Sequence, residues 1–152
     1  MRKGLFPGSF DPFTKGHADI VSRSLQLFDE VLIGVGYNER KAGWIPVDER
    51  VRALRALYAD EPRIKVESYT GLTIDFAKAH GVTAIIRGVR TMADFEYETQ
   101  MADINRQLSG LETILFPASP ELSSISSSVL RELSHFHHDT TDLLPDGLEY
   151  KI

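Results

Sequence analysis

The sequence contains no cysteine. That absence excludes disulfide staples, thiol nucleophiles and cysteine-ligated zinc or iron–sulfur centres, and it fits a reducing, cytoplasmic setting. A run of about eighteen apolar residues is also missing, and Pro7 and Asp11 interrupt the apolar start early, so neither a membrane span nor a secretory leader is expected. Basic charge is in short supply: 17 Lys and Arg against 22 Asp and Glu leave a net charge of −5, which disfavours a broad nucleic-acid-binding face. No Gly-x-Gly-x-x-Gly follows the first predicted strand and no Gly-x-x-x-x-Gly-Lys-Ser/Thr occurs anywhere, which disfavours dinucleotide redox chemistry and P-loop phosphoryl transfer.

What is present reads as one globular domain. The 152 residues, 42% of them hydrophobic, suffice for a sizeable core. Apolar runs at 4–6, 31–36, 82–86 and 113–116 predict buried strands, and the alternation at 63–68 predicts a less buried one. Helical spacing recurs over 15–28, from Val47 to Tyr58, and over 72–80, 92–108 and 126–133. Pro7-Gly8 and Asp11-Pro12 read as breaks after the first strand. Strands alternating with helices predict an α/β fold, a single Rossmann-like doubly wound domain over 1–152 with a five-stranded, mostly parallel sheet. Residues 135–152 read as a polar C-terminal tail.

Ligands of such sheets bind beyond the C-terminal strand ends. The polar candidates fall there. In 5–17, a strand and tight loop lead into a helix whose first turn carries Gly16 and His17, an arrangement suited to an anion. Arg87 ends a Val-Ala-Ile strand, with Arg90 three residues on across Gly88. Such arginines either meet a phosphate or are tied to Asp94, Glu96 or Glu98. Ser126, Ser127 and Ser128 open a helix; one suffices as the cap, which leaves hydroxyls for a phosphate. Lys41, in the loop after the second strand, reads on its own as a solvated charge. His135, His137 and His138 lack an acidic or cysteine partner at metal-ligating spacing, so a surface helix end is expected.

The string Pro-Gly-Ser-Phe-Asp-Pro-Phe-Thr-x-Gly-His at 7–17 closely resembles the opening motif of the nucleotidyltransferase superfamily marked by His/Thr-x-Gly-His. Ile-Arg-Gly-Val-Arg at 86–90, Asp-Phe-Glu-Tyr-Glu at 94–98 and Ile-Ser-Ser-Ser at 125–128 extend the likeness, and within that superfamily the chain looks most like the phosphopantetheine adenylyltransferases, from Leu5 to Leu133. The resemblance implies transfer of the adenylyl group of ATP to 4′-phosphopantetheine, with Mg²⁺ as cofactor, dephospho-coenzyme A as product, coenzyme A as feedback inhibitor and a homohexameric assembly. It implies catalytic roles for His17, Lys41, Arg90 and Ser127. An ATP site would take in Ser9, Phe10, His17, Gly88, Val89, Arg90, Glu98 and the stretch Leu122, Ser123, Ser124, Ile125, Ser126, Ser127 and Ser128. Leu122 stands where the family often has an aromatic, and Ser9 where Thr is commoner. Ser9, Lys41, Thr73 and Arg87 would hold phosphopantetheine, and the metal would be held by ATP phosphates rather than protein ligands. Related enzymes acting on nicotinate mononucleotide or glycerol phosphate share the first motif, and a non-catalytic adenine-nucleotide sensor is the alternative from another class.

Overall fold

The apolar opening of the chain becomes the middle of the sheet. In the computed structural model, which describes residues 1–151, β1 (Lys3–Gly8) lies between β2 (Glu30–Gly36) and β4 (Ala84–Val89), with β3 (Ile64–Tyr69) and β5 (Glu112–Pro117) at the edges. The order is β3-β2-β1-β4-β5, and every neighbouring pair is parallel. The mostly parallel expectation thus resolves to a wholly parallel, doubly wound sheet. The charged alternation of β3 is explained by its edge position, where one side is open to water.

Helices cover both faces, because strands in this sheet have side chains to bury on each. On one face α1 (Lys15–Ser24) and α2 (Val47–Leu57) bring Ile20, Val21, Val51 and Leu54 onto Phe6, Ile33 and Val35. On the other, α3 (Thr73–Ala79) sets Ala77 against Leu5 and Leu32. α4 (Met92–Ser109) packs along β4 and β5, and α5 (Ser127–His135) buries Leu130 completely. α1 is shorter than its apolar spacing predicts. The Ser24 hydroxyl bonds back to the Ile20 carbonyl at 2.6 Å, and the chain turns there to bring Phe28 into the core ahead of β2.

Two boundaries differ from expectation where the site forms. Pro7 and Gly8 do not end β1; they continue it, in register with Gly34 and Val35 of β2. On the opposite side β1 pairs with β4 only at Gly4–Ala84 and Leu5–Ile85, and then the two strands part. A residue in a parallel strand directs its N and C=O to the same side. The Pro7 carbonyl accepts from Arg87 Nη1 at 2.7 Å, so its nitrogen faces the split, where no ladder donor is needed. β4 likewise runs to Val89, two residues past the expected end at Arg87, so Gly88 and Val89 belong to a strand still paired with β5.

The C-terminal segment is tied to the rest of the fold near its end. Leu148 is 7% exposed within the main core, the Tyr150 hydroxyl accepts from the Phe13 N–H at 3.1 Å, and Arg52 of α2 holds the Glu149 carbonyl at 3.0 Å. Among the described residues no helix is long and apolar enough to cross a membrane.

Candidate active site

The split between β1 and β4 opens onto a loop whose backbone is forced. Phe10 takes φ +48°, a left-handed value that a bulky residue adopts only when its surroundings hold it. Its ring folds back over Gly8, where a Cβ would sit 2.9 Å from the ring; only glycine leaves that room. The loop ends at Thr14, the N-cap of α1. His17 N donates to Thr14 Oγ1 at 3.3 Å, while Thr14 N donates to His17 Nδ1 at 3.0 Å, a reciprocal capping box in which histidine takes the usual place of Glu or Gln.

That cap decides the state of the imidazole. Nδ1 is an acceptor, so in the neutral ring the proton sits on Nε2. The ring is packed edge-on against Phe10 with centroids 5.0 Å apart and lies tilted by 34° against Phe13 at 5.3 Å. Burial, and then the charges of Arg87 and Arg90, lower its pKa from 6.5 to about 3. His17 is therefore a neutral N–H donor at the start of a helix.

His17 lines a cavity of ≈ 300 Å³. The N-termini of α1 and α5 meet there, with Arg90 and the Gly88–Val89 backbone on one wall and Leu122, Ile125 and Ile20 supplying apolar surface. A second cavity of ≈ 440 Å³ lies on the other side of the split, walled by Tyr69, Leu72, Thr73 and the Tyr97–Leu108 side of α4. Four residues line both: Pro7, Gly8, Ser9 and Arg87. Two chambers thus share one short partition, and that partition carries a guanidinium. The Thr113 hydroxyl is buried beside the second chamber with no hydrogen-bond partner among the described residues.

Of the alternatives that its sequence context left open, Arg87 takes the tie to an acid. It is gripped bidentately by Glu98, at 2.8 Å and 2.7 Å, and yet it still faces both chambers. Burial pulls its pKa down, but the Glu98 carboxylate outweighs this and the net shift is upward. Glu98 is 7% exposed and lines the second chamber. Its carboxylate is engaged by Arg87 through both oxygens.

The serines are more committed than expected. Ser126 caps α5 by accepting from Val129 N at 3.2 Å, Ser127 Oγ donates to the Pro12 carbonyl at 2.7 Å, and Ser128 Oγ accepts from Arg131 Nη2 at 3.2 Å. What the helix start offers a phosphate is therefore its backbone N–H groups first. Ser123 shapes its own turn by donating to the Pro120 carbonyl at 3.0 Å, and neither it nor Ser124 lines a chamber. Thr73 lines the second chamber and bonds Tyr69 at 2.9 Å. Lys41 is exposed, outside both linings, on a loop closed by a bridge to Asn38. Asp19, missed in the sequence, is the one acidic side chain lining the first chamber. It is engaged by Ser119 at 2.9 Å and Arg23 at 3.2 Å, and an acid one helical turn before an Arg was its only signal. Among the described residues no cluster of three His, Cys, Asp or Glu could cage a metal ion.

A parallel doubly wound sheet with a neutral histidine, two arginines and two helix starts around its switch point is the framework of a nucleotidyltransferase. Comparison with known proteins makes this specific. The pattern of the cytidylyltransferase-like family matches residues 5–133. A phosphopantetheine adenylyltransferase of Phocaeicola vulgatus is 54% identical over 98% of this chain and 99% of its own, and one of Bacteroides fragilis is 52% identical over the same shares. The chain belongs to the cytidylyltransferase-like family and, within it, to the phosphopantetheine adenylyltransferases. The fold is shared more widely. A crystal structure of a bifunctional NMN adenylyltransferase/ADP ribose pyrophosphatase from Francisella tularensis superposes with a TM-score of 0.71 at 13% identity, covering 94% of this chain and 44% of the other.

Proposed function

We propose that the chain joins ATP to 4′-phosphopantetheine, releasing pyrophosphate and dephospho-coenzyme A, by direct in-line transfer. The observation that carries this reading is the pair of chambers meeting at Ser9 and Arg87. One has the helix starts and apolar wall suited to a nucleotide triphosphate; the other is a long, partly apolar slot suited to a pantetheine arm. A phosphate at the end of that arm would reach the partition beside the α-phosphorus. Its oxygen forms the new P–O bond as the bond to the bridging α–β oxygen breaks. A phosphate monoester is already ionised near neutral pH, so no base and no covalent enzyme intermediate are required.

His17 Nε2–H and Arg90 would stabilise charge gathering on the α-phosphate, and Arg87, Ser9 and Lys41 would hold the attacking phosphate. The start of α5 would take the β- and γ-phosphates. As the resemblance implies, Mg²⁺ bound with the triphosphate would supply charge neutralisation there. Coenzyme A shares the pantetheine arm and nucleotide of the product, which makes it a fitting feedback ligand for the same two chambers. The cysteine-free sequence agrees with a cytoplasmic site of action.

Self-association fits the same reading. Glu98 is the one buried residue of α4, whereas Phe95, Tyr97, Ile104 and Leu108 are 45–63% exposed. Further copies of the chain, as in the hexamer implied by resemblance, would cover this apolar side of the second chamber.

The deciding experiment follows pyrophosphate release from Mg²⁺-ATP. Release is expected only when phosphopantetheine is added. Turnover with nicotinate mononucleotide, or with glycerol phosphate and CTP, would keep the enzyme class and replace the substrate. Tight ATP binding with no release on any acceptor would point to a sensor.

A further inference from the structure

The loop bearing Lys41 is held by two buried charged groups that the transfer chemistry does not use. Asp11 is 7% exposed, and its carboxylate accepts two backbone N–H groups, from Trp44 at 2.7 Å and from Ile45 at 2.8 Å. Arg50, on α2, is 3% exposed; it donates from Nε to the Ile45 carbonyl at 2.8 Å and from Nη1 to the Ser9 carbonyl at 2.7 Å. The two groups converge on Gly43, where an added Cβ would lie 2.6 Å from Asp11 Oδ2 and 3.0 Å from Arg50 Nη2. The Asp11 carbonyl is itself held by Arg131 of α5 at 2.8 Å.

Burying a carboxylate and a guanidinium is costly unless each is fully bonded. Here both are bonded to loop backbone and not to each other. Their shared effect is to fix Ser9, on the partition between the chambers, relative to residues 43–45, which begin two positions after Lys41. Apart from them, the loop is placed by the Asn38–Lys41 bridge, the Asn38 side chain's bond from the Arg40 N–H and the buried Ile45 side chain at its end, while residues 38–44 are exposed.

We propose that Asp11 and Arg50 form a brace that positions the Lys41 loop against the partition, so that the Lys41 ammonium is delivered to the attacking phosphate in a fixed place. Gly43 is the residue that lets the chain pass between the two groups. The brace rests on the reading of Lys41 as a phosphate ligand given above. Asp11 and Arg50 are positioning residues; neither needs to touch substrate.

A double-mutant cycle between Asp11 and Lys41 tests this. Asn at position 11 accepts one of the two N–H groups and turns an NH₂ donor towards the other. Lys41→Ala in the native chain is expected to lower kcat/KM for phosphopantetheine by roughly tenfold or more, and in Asp11→Asn to cost at least about fivefold less, because the lysine is already misplaced. KM for ATP is expected to stay within about twofold in Asp11→Asn, a split that general unfolding would not produce. Trypsin reads the loop independently of activity. Cleavage after Arg40 or Lys41 is expected to accelerate in Asp11→Asn at temperatures where the rest of the chain stays intact. Equal effects of Lys41→Ala in both backgrounds, with unchanged cleavage, would overturn the brace. Should Asp11→Asn not fold, Gly43→Ala, which presses on both groups and leaves their charges in place, enters the same cycle. If Lys41→Ala is fully active in the native chain, the phosphate role of Lys41 is lost, and the cleavage assay alone then decides whether the brace holds the loop.

Discussion

His17→Ala is expected to lower kcat by ~10²–10³-fold while leaving the chain folded. The loss would follow from the role proposed for Nε2–H: donating to charge that develops on the α-phosphate, in a site where protein dipoles replace water. Stability changes far less. The variant loses the Nδ1 half of the capping box and some ring packing, a cost of about 1–2 kcal/mol. The pH dependence separates the two roles. His17 has a pKa of about 3 in the fold and an ordinary value of 6.5. Between those values the unfolded chain takes up a proton that the folded chain refuses, so this group's contribution to stability is complete above pH 6.5 and is lost as pH falls towards 3. Melting curves of the native chain are expected to shift downwards through that window, and those of His17→Ala less steeply. The pH profile of kcat is expected to show no histidine inflection above pH 5 or so. An inflection near 6.5 that vanishes in the variant would make His17 an acid–base group instead.

Arg87→Met is the second large effect, and it strikes both stability and substrate binding. Removing the guanidinium leaves the Glu98 carboxylate buried without a partner. About 3 kcal/mol is expected, the low end for a broken buried pair because the Arg87 side chain is 33% exposed. For a chain of this length that lowers Tm by roughly 6–12 °C. Binding of phosphopantetheine is expected to weaken by about a hundredfold and ATP binding much less, since the partition loses its fixed positive charge. The double change Arg87→Met with Glu98→Met separates the two losses. Replacing the whole ion pair by apolar side chains is expected to restore most of the Tm and none of the turnover. Recovery of turnover in the double variant would show that Arg87 serves only to neutralise Glu98.

The chemistry was more legible in the sequence than the way it is held. Strand and helix order could be read because β2 and the helices carry clear apolar periods. The strand ends could not, since Pro7 looks like a breaker until one knows that its nitrogen faces the β1–β4 split. His17 is legible as a histidine in the first turn of a helix after a strand and a loop, and Arg87 and Arg90 as polar residues at the end of an apolar strand. The Arg87–Glu98 clamp was one of several open pairings, because a strand residue and a helix residue eleven positions on have no fixed spacing rule. Asp11 reads as part of a turn and Arg50 carries no signal of its own in the sequence; only the fold brings both onto Gly43. Tyr150 reaches Phe13 across 137 positions of sequence, a contact that local patterning cannot announce.

The most direct test of transfer between two adjoining chambers is stereochemical. With ATP made chiral at the α-phosphorus by a single sulfur substitution, the dephospho-coenzyme A analogue formed is expected to have inverted configuration at that phosphorus, as one in-line displacement requires. Retention would mean two displacements through a covalent nucleotidyl-enzyme, and would contradict direct attack by the phosphate held at Arg87.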